Sequence, residues 1–193
     1  GGDPQVMGVR DIQASVEIGD GTTVREFVTI HRSAKENEKT IVGKRCLLMA
    51  YVHLAHDCIV GDDVVIVNGT GLSGHILVEG GAFISGMVGA HQFVRFGKLS
   101  MTGGMSRIGQ DVLPFCTVEG NPARLIGTNA VGLKRSGMAP ATRNGLKKAV
   151  RFLMQSDLNT TQAVEKIEVE IEMSDEIRYL INFINDSERG IIK

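Results

Sequence analysis

Aliphatic residues recur along this chain at an interval of six. Ile18, Val24 and Ile30 set the phase. After a polar insertion, HRSAKENEKT, it resumes at Val42, Leu48, Leu54, Val60, Ile66, Leu72, Val78 and Ile84, relaxes to Ala90, returns at Phe96, relaxes at Thr102 and closes at Ile108. An α-helix, at about 3.6 residues per turn, cannot keep that period on one side, and a flat hairpin sheet has no reason to. The pattern predicts a left-handed parallel β-helix: three short faces make a coil of about 18 residues, and the recurring aliphatic side chain fills a triangular interior. Gly19, Gly43, Gly61, Gly97 and Gly109 each follow a core position. They read as turn residues, where a missing Cβ eases the chain around.

From about Asn129 the six-residue pattern gives way to helical spacing. Leu146, Ala149, Val150, Leu153 and Met154 form one apolar stripe. Asn159 with Gln162 forms a helix start before Ala163, Val164 and Ile167. Ser174, followed by Asp175 and Glu176, opens a further helix with Ile177, Leu180, Ile181 and Ile184 inward. The expected organisation is therefore a β-helix over residues 1–128 and a small α-helical domain over 129–193. The chain opens in mid-pattern without a Met, so further N-terminal coils are expected before Gly1.

Composition narrows the class. The 193 residues carry a formal net charge of −1, which leaves no overall footprint for nucleic acid. Cys46, Cys58 and Cys116 are odd in number and widely spaced. That argues against a disulfide framework and suits buried thiols in a reducing cytoplasm. No apolar run approaches the roughly 20 residues of a membrane span, and the opening GGDPQVMGVRD lacks the features of a signal peptide. A soluble cytoplasmic protein is expected. Charge is nonetheless sorted locally: between Asn121 and Ser156 there are basic residues (Arg124, Lys134, Arg135, Arg143, Lys147, Lys148 and Arg151) and no acids, whereas Asp157 to Glu176 is mainly acidic.

Candidate chemistry concentrates in AYVHLAHDCIVG, Ala50 to Gly61. The coil length converts sequence distance into height, since residues one coil apart lie about 4.8 Å from each other. His56, Gly74 and Gln92 should form one column, and Asp57, His75 and Phe93 the next. His53, His56, His75 and His91 then gather near one edge. A single histidine on such a face is usually an ordinary surface hydrogen-bonding group; four together with Asp57 and Gln92 ask for more. A metal site needs three suitably directed ligands, and His53 with His56 would serve if both pointed the same way, as in trimeric β-helix zinc lyases. An acid–base site needs His56 as base, Asp57 to fix its tautomer, and the Gly74 N–H as oxyanion donor. No serine or cysteine is obviously poised as a nucleophile, so direct acyl transfer without a covalent enzyme intermediate is favoured.

The segments VREFVTIHR, HLAHDCIVGD, LSGHILVEGGAFISGMVGAHQFV, EGNPARLIGTNAVGLKR and FINDSERGIIK together resemble the acyl-ACP:UDP-N-acetylglucosamine O-acyltransferase family, from about Gln5 to Lys193. The resemblance implies transfer of a (3-hydroxy)acyl chain from acyl carrier protein to the sugar 3-hydroxyl, the first step of lipid A biosynthesis, without metal or other cofactor. It implies His56 as general base, Asp57 as its partner and Gly74 as oxyanion donor. Gln5, His53, His75, His91, Gln92, Asn129 and Arg135 become substrate contacts, and Met101 and Gly104 set acyl-chain length, with Gly104 leaving room for a medium to long chain. It also implies a homotrimer with active sites between subunits, and a basic segment that attracts the acidic carrier protein. The chain departs from the family at Val6 and Gly8, where an acidic residue and a lysine are usual, and at Ser136, where a second arginine commonly follows Arg135. A UDP 3-amino sugar acceptor therefore stays open, as do a zinc lyase and a trimeric scaffold without catalysis.

Overall fold

The protein is described here by a computed structural model covering residues 1–8, 12–155 and 157–193; Ser156, at the end of the basic stretch, lies outside the described residues. The six-residue series winds into a parallel β-solenoid with three faces. The first face stacks Ser15–Ile18, Lys39–Val42, Ile59–Val60, Leu77–Val78 and Arg95–Phe96. The second stacks Thr23–Val24, Leu47–Leu48, Val65–Ile66, Phe83–Ile84 and Met101–Thr102. The third stacks Thr29–Ile30, His53–Leu54, Gly71–Leu72, Gly89–Ala90 and Arg107–Ile108. Leu48 pairs with Ile66, Ile66 with Ile84 and Ile84 with Thr102, which is the expected coil length. The first coil is one face longer: Val24 pairs with Leu48 and Ile30 with Leu54, and the polar insertion absorbs the difference.

From Val42 to Ile108 every position of the series is buried, Ala90 and Thr102 included. The first coil differs. Ile18 is 45% exposed and Val24 43%, because no strand among the described residues stacks over them. The glycines also play another part than expected. From Val42 to Thr102 the left-handed turn residue falls three positions after each core residue and is mostly not glycine: Arg45, Tyr51, Asp57, Asp63, His75, Met87, Phe93, Leu99 and Met105 all have φ near +60°. For L residues that conformation costs roughly 1–2 kcal/mol. Gly43 instead answers to crowding between coils, since a Cβ there would come within 2.6 Å of the Gly61 backbone.

The solenoid ends in a feature the six-residue pattern did not foretell, an antiparallel pair formed by Cys116–Gly120 and Ala123–Thr128 that continues the second face. Four helices follow: α1 (Ala130–Arg135), α2 (Pro140–Leu153), α3 (Thr160–Glu170) and α4 (Asp175–Asn185). Asn159 and Gln162 form a reciprocal capping box on α3, and the Ser174 side chain accepts the Ile177 N–H at the start of α4. Leu146, Ala149, Val150 and Leu153 are buried on α2, but Met154, expected on that stripe, follows the end of the helix and is exposed. Polar contacts tie α4 and the residues after it to the solenoid. The Tyr179 hydroxyl donates to Glu79 at 2.7 Å, Arg95 lies 4.0 Å over the Phe183 ring, and the Ser187 hydroxyl donates to Asp111 at 2.7 Å. Among the described residues no helix is long and apolar enough to cross a membrane.

Candidate active site

The corner between the third and first faces builds the site. Its left-handed turn positions are Asp57, His75 and Phe93, so these side chains stack one above another, with His56, Gly74 and Gln92 each one residue earlier. Backbone bonds hold the stack: the His75 N–H donates to the His56 carbonyl at 3.1 Å, and the Phe93 N–H to that of Gly74 at 3.2 Å.

His56 is buried, and its Nδ1 lies 2.7 Å from Asp57 Oδ2. The Ser33 hydroxyl donates to Asp57 Oδ1, the Ala34 N–H to Oδ2 at 3.4 Å, and the Asp57 N–H donates to Thr40 Oγ1 at 2.9 Å. Burial opposes ionisation of Asp57, but the hydrogen bonds from Ser33, His56 and Ala34 outweigh it and hold the carboxyl below its ordinary value. An ionised Asp57 can only accept, so the proton on His56 belongs on Nδ1, and Nε2 presents a lone pair. Gly74 lies against that ring: a Cβ at position 74 would stand 2.6 Å from Nε2. Among the described residues no acceptor is paired with the Gly74 N–H.

A cavity of about 560 Å³ on the third face is lined by Gln5, His53, His56, Gly74, His91 and Gln92, together with Arg107 and the glycines Gly71 and Gly89. His91 Nδ1 donates to the Gln92 carbonyl at 3.2 Å, which leaves its Nε2 as the acceptor. His53 Nδ1 meets Thr29 Oγ1 at 2.8 Å. His75 is not part of this lining. It stacks on Phe93 at 4.7 Å, meets the His56 ring edge-on at 5.0 Å, and places Nε2 3.6 Å from Asp57 Oδ2. Burial lowers its pKa, although Asp57 pulls the other way.

The remaining expected residues lie elsewhere. Met101, Asn129 and Arg135 line a second, more apolar cavity of about 480 Å³ on the second face, with Phe83 and Val131. Asn129 already has a structural task there, since its side chain accepts the Gly132 N–H at the start of α1 and donates to the Leu99 carbonyl at 2.9 Å. Gly104 lines neither cavity; it sits at the corner between the second and third faces, where a Cβ would touch the Gly86 carbonyl at 3.4 Å.

Several site residues escaped the sequence reading. Ser33 and Thr40 are fully buried around Asp57, and His31 meets His53 edge-on at 4.8 Å. Ser33 and Asp57 are 24 residues apart, so the usual 18-residue coil does not align the pair. Cys58 is no nucleophile: it is buried, its Sγ contacts the Ser73 carbonyl at 3.1 Å, and its thiol is pushed up to about 12 by burial. For metal binding, the groups that converge among the described residues are His56, Asp57 and His75, with ligand atoms all within 4.8 Å of one another, rather than His53 with His56.

A three-faced solenoid with a carboxylate-held histidine at one corner is the arrangement of a hexapeptide-repeat transferase. The comparisons agree: residues 39–74 match the bacterial transferase hexapeptide family (six repeats), and residues 111–192 match the second domain of UDP N-acetylglucosamine O-acyltransferase. An acyl-[acyl-carrier-protein]–UDP-N-acetylglucosamine O-acyltransferase from Gloeothece citriformis is 49% identical over 168 residues, covering 87% of this chain and 61% of the relative. One from Anaeromyxobacter sp. is 36% identical, covering all of this chain and 76% of the relative. The crystal structure of a UDP-N-acetylglucosamine acyltransferase from Bacteroides fragilis superposes with a TM-score of 0.96 at 39% identity, again over all of this chain and 76% of the other. The chain belongs to the acyl-[acyl-carrier-protein]–UDP-N-acetylglucosamine O-acyltransferase family, and spans about three fifths of the length of the two relatives from Gloeothece and Synechocystis.

Proposed function

We propose that the chain catalyses transfer of a (3-hydroxy)acyl group from acyl carrier protein to the 3-position of UDP-N-acetylglucosamine in the cytoplasm, opening lipid A biosynthesis. The observation that carries this reading is the 2.7 Å contact of His56 Nδ1 with Asp57 beside a cavity large enough for a sugar nucleotide. His56 Nε2 takes the proton of the sugar hydroxyl as its oxygen attacks the thioester carbonyl. The Gly74 N–H stabilises the oxyanion, and collapse expels the pantetheine thiolate, which takes from the imidazolium the proton that came from the sugar hydroxyl. Asp57 holds the tautomer throughout. Gln5, His53, His91 and Gln92 orient the substrates, while His75 acts from the far side of Asp57.

The family membership and names of the relatives favour this chemistry over a zinc lyase or a silent scaffold. Met101 and Arg135 belong to a different face from His56, so one chain cannot close both cavities on a single substrate. A homotrimer that seats the second face of one subunit beside the third face of the next unites them. Residues 129–193 then form a separate helical unit whose exposed Lys147, Lys148 and Arg151 attract the acidic carrier protein without membrane insertion. Val6 and Gly8, adjoining the cavity residue Gln5, favour a second reading in which the acceptor is the 3-amino sugar and the product an amide. Mass spectrometry of products after offering several hydroxyacyl-ACP donors against UDP-N-acetylglucosamine and its 3-amino analogue separates ester from amide. Absence of transfer to either acceptor overturns both.

A further inference from the structure

We infer that Ser33 is a positioning residue for the transfer, holding the Asp57 carboxylate in the plane that His56 needs; this rests on His56 acting as the base. Ser33 belongs to the longer first coil, in the polar insertion that otherwise reads as a surface excursion, yet it is fully buried. Its oxygen accepts the Lys35 N–H at 3.0 Å, a local turn that fixes the side chain before it meets Asp57. With the oxygen so engaged, the single hydroxyl proton goes to the near acceptor, Asp57 Oδ1, rather than to the Lys35 carbonyl 3.4 Å away.

The turn therefore grips both oxygens. Ser33 O–H takes Oδ1, and the neighbouring Ala34 N–H reaches Oδ2, the oxygen that faces His56 Nδ1. Thr40 fixes the other end of the residue by accepting the Asp57 N–H. A carboxylate at a left-handed corner can still rotate about its last bond, and among the described residues only the Ser33 contact ties down the oxygen remote from His56. Without that donor Oδ1 is buried unsatisfied, and the long Ala34 and His75 contacts are all that hold Oδ2 in the plane of Nδ1. Ser33 does not line the substrate cavity, so its loss should leave binding alone and act on turnover.

The test is steady-state kinetics of Ser33→Ala, Ser33→Thr and Ser33→Cys with hydroxyacyl-ACP and UDP-N-acetylglucosamine, beside His56→Ala and with thermal unfolding of each variant. Expected are a fall in kcat of roughly 10- to 50-fold for Ser33→Ala with both KM values within about twofold, and recovery to within about threefold of the parent in Ser33→Thr, which keeps the donor. If Ser33→Ala does not fold, the contrast between Ser33→Thr and the near-isosteric, weakly donating Ser33→Cys carries the test. Unchanged kcat in Ser33→Ala, equal loss in Thr and Cys variants, or a defect confined to KM overturns the inference. Full turnover in His56→Ala would instead overturn the proposed function beneath it, so the two failures are distinguishable.

Discussion

Gly74 lies against the ring of His56, so close that a Cβ at position 74 would stand 2.5 Å from Cε1. Gly74 thus leaves space for the His56 ring, beside the oxyanion role proposed for its N–H. Gly74→Ala should push the imidazole out of register with Asp57 and lower kcat by about 10²-fold or more while the fold is kept. Stopped-time product assays beside size-exclusion chromatography check it; an active Gly74→Ala enzyme would show that the ring can move without loss.

Asp57→Asn keeps the shape of the side chain but offers His56 Nδ1 a group that can donate. The proton then shifts to Nε2, where the proposed base needs its lone pair. A loss of about 10²–10⁴ in kcat is expected, comparable to the loss in His56→Ala. Retention of more than a tenth of the turnover would assign Asp57 to folding alone.

Stability should respond to pH through the histidines. His31, His53 and His75 each sit below the ordinary value of 6.5, chiefly because of burial; His56 adds repulsion at His31, and His31 does so at His53. As pH falls through that value the unfolded chain takes up protons before the folded one, so stability drops until the folded pKa values are passed. Asp57, depressed in the folded state, has its own window lower down: its contribution is present above the usual carboxylate range and disappears as pH falls through its folded value. Denaturant midpoints between about pH 7.5 and 5 should decline, and His53→Gln should flatten the slope. A midpoint independent of pH across that range would contradict the expectation.

Much of this architecture was readable because a solenoid repeats one packing decision. The buried series from Val42 to Ile108 and the caps at Asn159 and Ser174 depend on local pattern, which the sequence states directly. The pairing of His56 with Asp57 followed from adjacency plus coil length. What escaped depends on departures from the repeat. Ser33 reaches Asp57 only because the first coil is longer, and Cys116–Gly120 reverses into an antiparallel partner. The left-handed turns fall on Asp57, His75 and Phe93 because the corner imposes that conformation on whichever residue occupies it; composition carries no sign of it. Asn129 carries a task that spacing did not foretell: its amide caps α1 and bonds the Leu99 carbonyl while the residue also lines the second cavity.

The separation of the two cavities makes assembly testable. Mixing His56→Ala with Arg135→Ala subunits should restore roughly a quarter of parental activity if sites lie between subunits of a cyclic trimer, since each mixed trimer then has one seam with both faces intact. Neither variant alone should approach that level. No recovery in reassembled mixtures, with heterotrimers verified by native mass spectrometry, would place each site within one chain.

The longer first coil exceeds its successors by the length of one face, and the register downstream is undisturbed: Val42 faces inward just as Val60 and Val78 do. Such a wall tolerates growth only in whole steps. A gain or loss of six residues at this corner leaves every later side chain on its original side, whereas five or seven must be looped out or else turn a run of valines and isoleucines to water. Length variation within the paired wall is thereby quantised, whereas the looped excursion escapes the regular count and is free to deliver a residue, here Ser33, to a place the repeating coils cannot reach.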